Sequence, residues 1–115
     1  MLIEADGMLG MKYYDAAGRA AYLSGFHAAH ALISERTARA VKTHRGVNAE
    51  LHCLTREDPR LDTELRAYLG RAYNLKAIAD YETGPQSEVS PELATEAVEM
   101  GKRFVAKMIE LVEKP

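Results

Sequence analysis

The feature that most limits the fold is a long alanine-rich segment between Tyr13 and Arg36, in which apolar and small residues recur at steps of three and four. That spacing is the period of an α-helix, so these residues share one face. Small side chains on a helix face allow a neighbouring helix to approach closely. We therefore expect one long helix that packs tightly against the rest of the chain.

Three further segments show the same helical period, and each follows a start signal. The expected starts are an N-cap at Thr43, an Asp58-Pro59 pair, and a Ser90-Pro91 pair, while the third of the four long helices should end near Tyr81. No segment has the pattern of a strand. The sequence predicts an all-α fold, an up-and-down four-helix bundle, and leaves open a short extra helical turn in residues 2–10.

Composition sets the class of protein. A chain of 115 residues with 47% hydrophobic and 28% charged residues fits one domain spanning residues 1–115. The single cysteine, Cys53, excludes an internal disulfide and is expected to be a small buried or half-buried residue rather than a nucleophile. No signal peptide or membrane span is evident, so we expect a cytoplasmic protein without a membrane partner.

Charge is sorted along the chain, although the formal net charge is only -2. Residues 36–60 carry six lysines and arginines against three acids, whereas residues 80–99 carry six acids and no basic residue. General adhesion to nucleic acid is not expected from the mean charge. The sorting favours a phosphate-rich ligand at one end of the molecule, although charge sorting is also common on solvated helices.

The second long helix carries a candidate catalytic stripe. At about 100° per residue, Arg45, Asn48, His52 and Arg56 share one face, opposite the apolar stripe of the same helix. A histidine with an ordinary pKa can transfer protons at neutral pH, and an arginine can bind a phosphate. The stripe predicts phosphodiester cleavage by Arg45, His52 and Asn48, and the alternative is the polar side of an ordinary helix.

The start of that helix carries a candidate binding site for RNA or a nucleotide. The free backbone N–H groups after Thr43 favour an anion, and the residues assigned to binding are Lys42, Thr43, His44 and Arg56.

Two other groups leave alternatives open. His27 and His30 have a spacing that can bind metal, but packing is the favoured role, and the sequence predicts no metal and no cofactor. Asp80 and Tyr81 either stop a helix through a tyrosine hydrogen bond or form part of a pocket.

Three separated motifs occur in one order: Phe-His-Ala-Ala at residues 26–29, Lys-Thr-His-Arg-Gly at 42–46, and Ala-Asp-Tyr at 79–81. Through them most of the chain resembles the HEPN family, in particular its small stand-alone prokaryotic members. The resemblance implies a four-helix bundle that forms a homodimer and pairs with a small nucleotidyltransferase in a toxin–antitoxin system.

The resemblance also implies a chemistry. Active HEPN ribonucleases cleave RNA without metal, using an arginine followed by a histidine after four to six residues, and Arg45 and His52 fit that pattern with six residues between them. Gly46 stands where active members commonly carry a polar residue. Two functions therefore remain: a metal-independent endoribonuclease in an RNA-associated system, and a non-catalytic module that binds a nucleotide or docks on a nucleotidyltransferase.

Overall fold

The computed structural model describes residues 2–38, 41–81 and 89–114. These ranges contain five helices and no strand, which confirms the all-α prediction: α1 (Leu2–Gly10), α2 (Tyr14–Thr37), α3 (His44–Thr55), α4 (Thr63–Tyr81) and α5 (Pro91–Glu113). The extra turn left open for residues 2–10 is a nine-residue helix. The described part of α4 reaches Tyr81, where this helix is predicted to end.

Helix α2 lies at the centre and contacts all four other helices. Its Leu32 packs into a core with Leu69 of α4 and Phe104 of α5, and all three side chains are fully buried. Gly25 explains how α2 comes so close to α4, because a Cβ atom there would lie 2.7 Å from the Tyr68 ring. The small residues of the long helix thus serve close packing, as their pattern indicated.

Local start signals are confirmed at two helices. The Thr43 hydroxyl accepts a hydrogen bond from the Gly46 N–H at 3.0 Å, and the Ser90 hydroxyl accepts one from the Leu93 N–H at 3.1 Å. Pro91 occupies the first turn of α5, where its missing N–H costs nothing.

The expected start of α4 at Asp58-Pro59 is wrong. The Asp58 carboxylate binds Arg60, accepting hydrogen bonds from its backbone N–H at 2.9 Å and from its guanidinium at 2.8 and 3.0 Å. Asp62 caps the helix instead, because its Oδ1 accepts a hydrogen bond from the Leu65 N–H at 2.8 Å. A local arginine therefore engages the carboxylate that the pattern assigned to the cap, and α4 begins at Thr63.

The structure also bears on the expectations for Cys53, for Asp80 and Tyr81, and for the membrane. Cys53 is exposed, so the expectation of burial is wrong. The side chains of Asp80 and Tyr81 lie outside the described residues, as does Arg39 of the basic segment. None of the helices in the described ranges combines the length and apolar composition that crossing a bilayer requires.

Candidate functional site

The first turn of α3 is shaped by one glycine. A Cβ atom on Gly46 would lie 2.6 Å from Val41 Cγ1 and 2.9 Å from the Thr43 hydroxyl. Any larger residue would displace either the capping hydroxyl or the side chain of Val41. Gly46 therefore keeps the cap intact and allows the segment before α3 to fold back over its first turn.

An aromatic cluster anchors this turn to the centre of the bundle. The ring of His44 stacks on Tyr73 of α4, with centroids 4.0 Å apart and planes 10° apart. The hydroxyl of Tyr22, a side chain only 4% exposed on α2, lies 3.0 Å from His44 Nδ1. Tyr22 also meets the Tyr73 ring edge-on at 5.6 Å. Residues from two other helices, α2 and α4, thus hold His44 in one orientation.

Burial sets the protonation of this cluster. It lowers the pKa of His44 below the ordinary 6.5, and burial, followed by the charge of Tyr73, raises the pKa of Tyr22 to about 12. At neutral pH the phenol is therefore protonated and the imidazole is neutral. Within the described part of the chain, His44 Nδ1 is the hydrogen-bond partner of the Tyr22 hydroxyl. We assign the hydroxyl as the donor and Nδ1 as the acceptor, which places the imidazole proton on Nε2.

Beside this cluster an open groove of about 880 Å³ runs between α3 and α4. Its lining consists of the N-cap Thr43, His44, Arg45, Asn48 and Ala49 of α3, and Ala67, Gly70, Arg71, Tyr73 and Asn74 of α4. The lining contains two arginines and no acidic residue. Such a surface attracts anions.

The two arginines of the groove are free to bind a ligand. Among the described residues, neither Arg45 nor Arg71 has an ion-pair or hydrogen-bond partner. Asn48 Oδ1 is buried and accepts no hydrogen bond from the described part of the chain. A buried acceptor without a partner is unusual.

The structure divides the predicted site residues into two groups. Thr43, His44, Arg45 and Asn48 line the groove together. The other three, Lys42, His52 and Arg56, are exposed and lie outside the groove lining. Arg45 and His52 are separated by about two helical turns, or roughly 10 Å along the axis, so one chain does not bring this predicted pair together.

The α4 side of the groove was missed by sequence reasoning. Half of the residues that line the groove come from α4, and they include Gly70, Arg71, Tyr73 and Asn74. The available signal was the face of α4 opposite its apolar row, where Ala67, Gly70, Arg71 and Asn74 recur at steps of three and four. That face reads as ordinary solvent-exposed helix until α3 is placed beside it.

The histidines of α2 do not form part of this groove. His27 is exposed, and His30 stacks on Phe26 with ring centroids 6.4 Å apart. Within residues 2–38, 41–81 and 89–114, no three His, Cys, Asp or Glu side chains are grouped so that they could hold a metal ion.

The family follows from the match over the whole helical region. The family model of the HEPN domain matches residues 1–113 of the 115 residues. The chain belongs to the HEPN family. A search of curated proteins found no match. The helical bundle is the fold expected of a HEPN domain, and the family supports a role associated with RNA.

Proposed function

We propose that this HEPN protein binds single-stranded RNA in the groove between α3 and α4. The observation that carries the proposal is the pair of arginines, Arg45 and Arg71, which come from different helices, line one groove and have no partner among the described residues. Two unpaired guanidinium groups in a groove whose lining holds no acidic residue are suited to successive phosphates of a backbone.

The other lining groups fit the remaining parts of a ribonucleotide. The exposed amide of Asn74 can hydrogen bond to base edges or to ribose hydroxyls. Tyr73 is 38% exposed and offers an aromatic surface at the groove, which is the type of group on which unpaired bases stack. His44 Nε2 carries a proton and is a donor. Each class of contact that single-stranded RNA requires is therefore present in the groove.

Binding is preferred over cleavage because of where the histidines lie. His52, the proton donor or acceptor of the cleavage hypothesis, lies outside the groove, and His44 is held by Tyr22 and Tyr73. Cleavage by Arg45 and His52 remains the second candidate, favoured by the position of Arg45 in the groove. It requires a second copy of the chain to bring His52 to the groove of the first.

Gly70 provides a sharp test of binding. It lines the groove, and a Cβ atom there would meet nothing within 4 Å, so substitutions extend into open space. We expect Gly70→Glu to weaken RNA binding at least about tenfold, because a carboxylate near two arginines repels phosphate. Gly70→Gln has nearly the same size without the charge and should weaken binding much less. Gly7→Glu on α1, also in open space, is the control for net charge.

The measurement is fluorescence anisotropy with a labelled single-stranded RNA at several salt concentrations. Arg71→Ala should lower the slope of log affinity against log salt by about 0.7, the value for one phosphate contact on a single strand. Equal affinities for Gly70→Glu and Gly7→Glu would refute binding in the groove. Competition by ATP with the affinity of the oligomer would instead favour a free nucleotide as the ligand.

Cleavage is tested with the same preparations in EDTA. The second candidate predicts RNA fragments that disappear with His52→Ala, whereas simple binding predicts intact RNA. A toxin–antitoxin role with a nucleotidyltransferase partner is a further proposal that rests on the family. Its test is co-purification with the product of an adjacent nucleotidyltransferase gene, and a homodimer is tested by the molar mass in solution.

A further inference from the structure

A second, smaller cavity lies on the other side of α4, between α4 and α5. Its volume is about 230 Å³, and its apolar walls include Ala72, Leu75, Leu93 and Met100. Leu93 is 46% exposed at its mouth. We call this cavity the α4–α5 cleft.

The cleft and the groove share two residues. Arg71 and Asn74 line both cavities, so they form the crest of α4 that separates them. A ligand whose phosphate is held at Arg71 can therefore place one neighbouring group in the groove and another in the cleft. This continuity connects the apolar cleft to the phosphate site.

The size of the cleft limits what can enter. A cavity of about 150 Å³ accommodates a benzene ring, and pockets for drug-sized ligands begin at about 300 Å³. The 230 Å³ of the cleft lies between these values. One flat ring system of one or two rings fits, and a whole nucleotide does not.

The polar groups of the cleft determine which ring fits. The Tyr68 hydroxyl at its wall already donates to the Ala21 carbonyl at 2.9 Å. Glu64 pairs with Arg103 at 3.7 Å, which leaves Glu96 as the carboxylate with no partner among the described residues. A carboxylate repels phosphate and accepts hydrogen bonds from amino groups. The cleft therefore favours a base with an exocyclic amino group.

We propose that the α4–α5 cleft binds one base of the RNA strand, and that Glu96 favours an amino-bearing base over uracil. The proposal rests on the proposed function, since the strand must first be held in the groove. In this arrangement the strand crosses α4 at Arg71, its base contacts Leu93 and Met100, and the amino group donates to Glu96. The adjoining phosphate stays outside the cleft.

Hexacytidylate and hexauridylate are matched probes, because cytosine and uracil have the same ring size, and cytosine has at C4 an amino donor where uracil has a carbonyl oxygen that a carboxylate repels. We expect the unmodified protein to bind hexacytidylate about tenfold more tightly. Glu96→Ala should make the affinities for hexacytidylate and hexauridylate equal, because only cytosine loses a hydrogen bond to the carboxylate. Glu92→Ala, one turn earlier on α5 and outside the cleft lining, removes the same charge and should preserve the ratio.

The entry of a base can be observed directly by NMR of methionine methyl groups labelled with ¹³C. The Met100 methyl signal should shift on addition of hexacytidylate through the ring current of the base. The signal of Met11, which is 65% exposed and lies outside the cleft lining, should not. An unshifted Met100 signal at saturation would overturn the proposal.

The two proposals fail in different ways. If Gly70→Glu weakens binding of both oligomers while their affinities are equal in the unmodified protein, the groove stands and the cleft proposal is overturned. If the ratio of the two affinities persists in Glu96→Ala, the role assigned to Glu96 is overturned. If neither oligomer binds the unmodified protein at millimolar concentration, both proposals are overturned.

Discussion

The hydrogen bond between Tyr22 and His44 offers a quantitative test of how the groove is anchored. The Tyr22 hydroxyl lies 3.0 Å from His44 Nδ1 in a residue only 4% exposed. Tyr22→Phe deletes the donor and leaves Nδ1 without it, whereas His44→Phe deletes the acceptor and leaves the hydroxyl buried. The double variant removes both polar groups and keeps an aromatic ring against Tyr73.

The expected magnitudes follow from these burials. Losing one neutral hydrogen bond at a half-buried imidazole costs about 1 kcal/mol of the free energy of unfolding. Leaving a buried hydroxyl without a partner costs about 2 kcal/mol, within the usual range for an unsatisfied group. Replacing both partners by apolar groups is nearly neutral. The double variant should therefore be more stable than the sum of the single changes predicts, by up to about 3 kcal/mol.

Urea unfolding at pH 7.5, followed by circular dichroism, measures all four proteins of this cycle. Each kcal/mol lost from the free energy of unfolding should also lower the melting temperature by about 4 °C. If the effects of the two single substitutions add to within about 0.5 kcal/mol, the two side chains are not coupled and the assigned hydrogen bond is wrong.

Three further predictions concern glycine packing and pH. Gly25→Ala should destabilise the protein by about 1–2 kcal/mol, because its Cβ would overlap the Tyr68 ring at 2.7 Å. Gly18→Ala, with nothing nearer than 3.8 Å, should stabilise it by about 0.5–1 kcal/mol. Melting temperatures that change in the same direction for both variants would contradict this. Burial lowers the pKa of His44, so the stability that depends on the neutral imidazole is complete above the ordinary 6.5 and falls as the pH drops below that value. The urea midpoint should therefore be lower at pH 5.5 than at pH 7.5, and this difference should shrink in His44→Phe. Hydrogen bonds from Arg60 lower the pKa of Asp58 to about 2, so the stability from this pair is present above the ordinary 3.8 and lost as pH falls towards 2; Asp58→Asn should remove that part of the acid transition.

The helices themselves were largely predictable from the sequence, because their signals are local. The period of three and four residues defines α2 and α5, and the caps at Thr43 and Ser90 act on N–H groups three residues away. The start of α4 was not predictable in the same way. Asp58 and Asp62 are both plausible caps, and the hydrogen bonds from Arg60 to Asp58 decide between them.

The candidate site was predictable only in part. Thr43, His44, Arg45 and Asn48 lie within six residues, so the sequence alone places them on one helical turn or the next. Arg71, Tyr73 and Asn74 come from a helix more than twenty residues later, and their proximity depends on how α3 and α4 pack against α2. Spacing along one helix determines which residues share a face. Only tertiary packing determines which faces meet, because buried side chains such as Tyr22 and Val47 set the position of α3, and that position makes a groove from two otherwise ordinary polar faces.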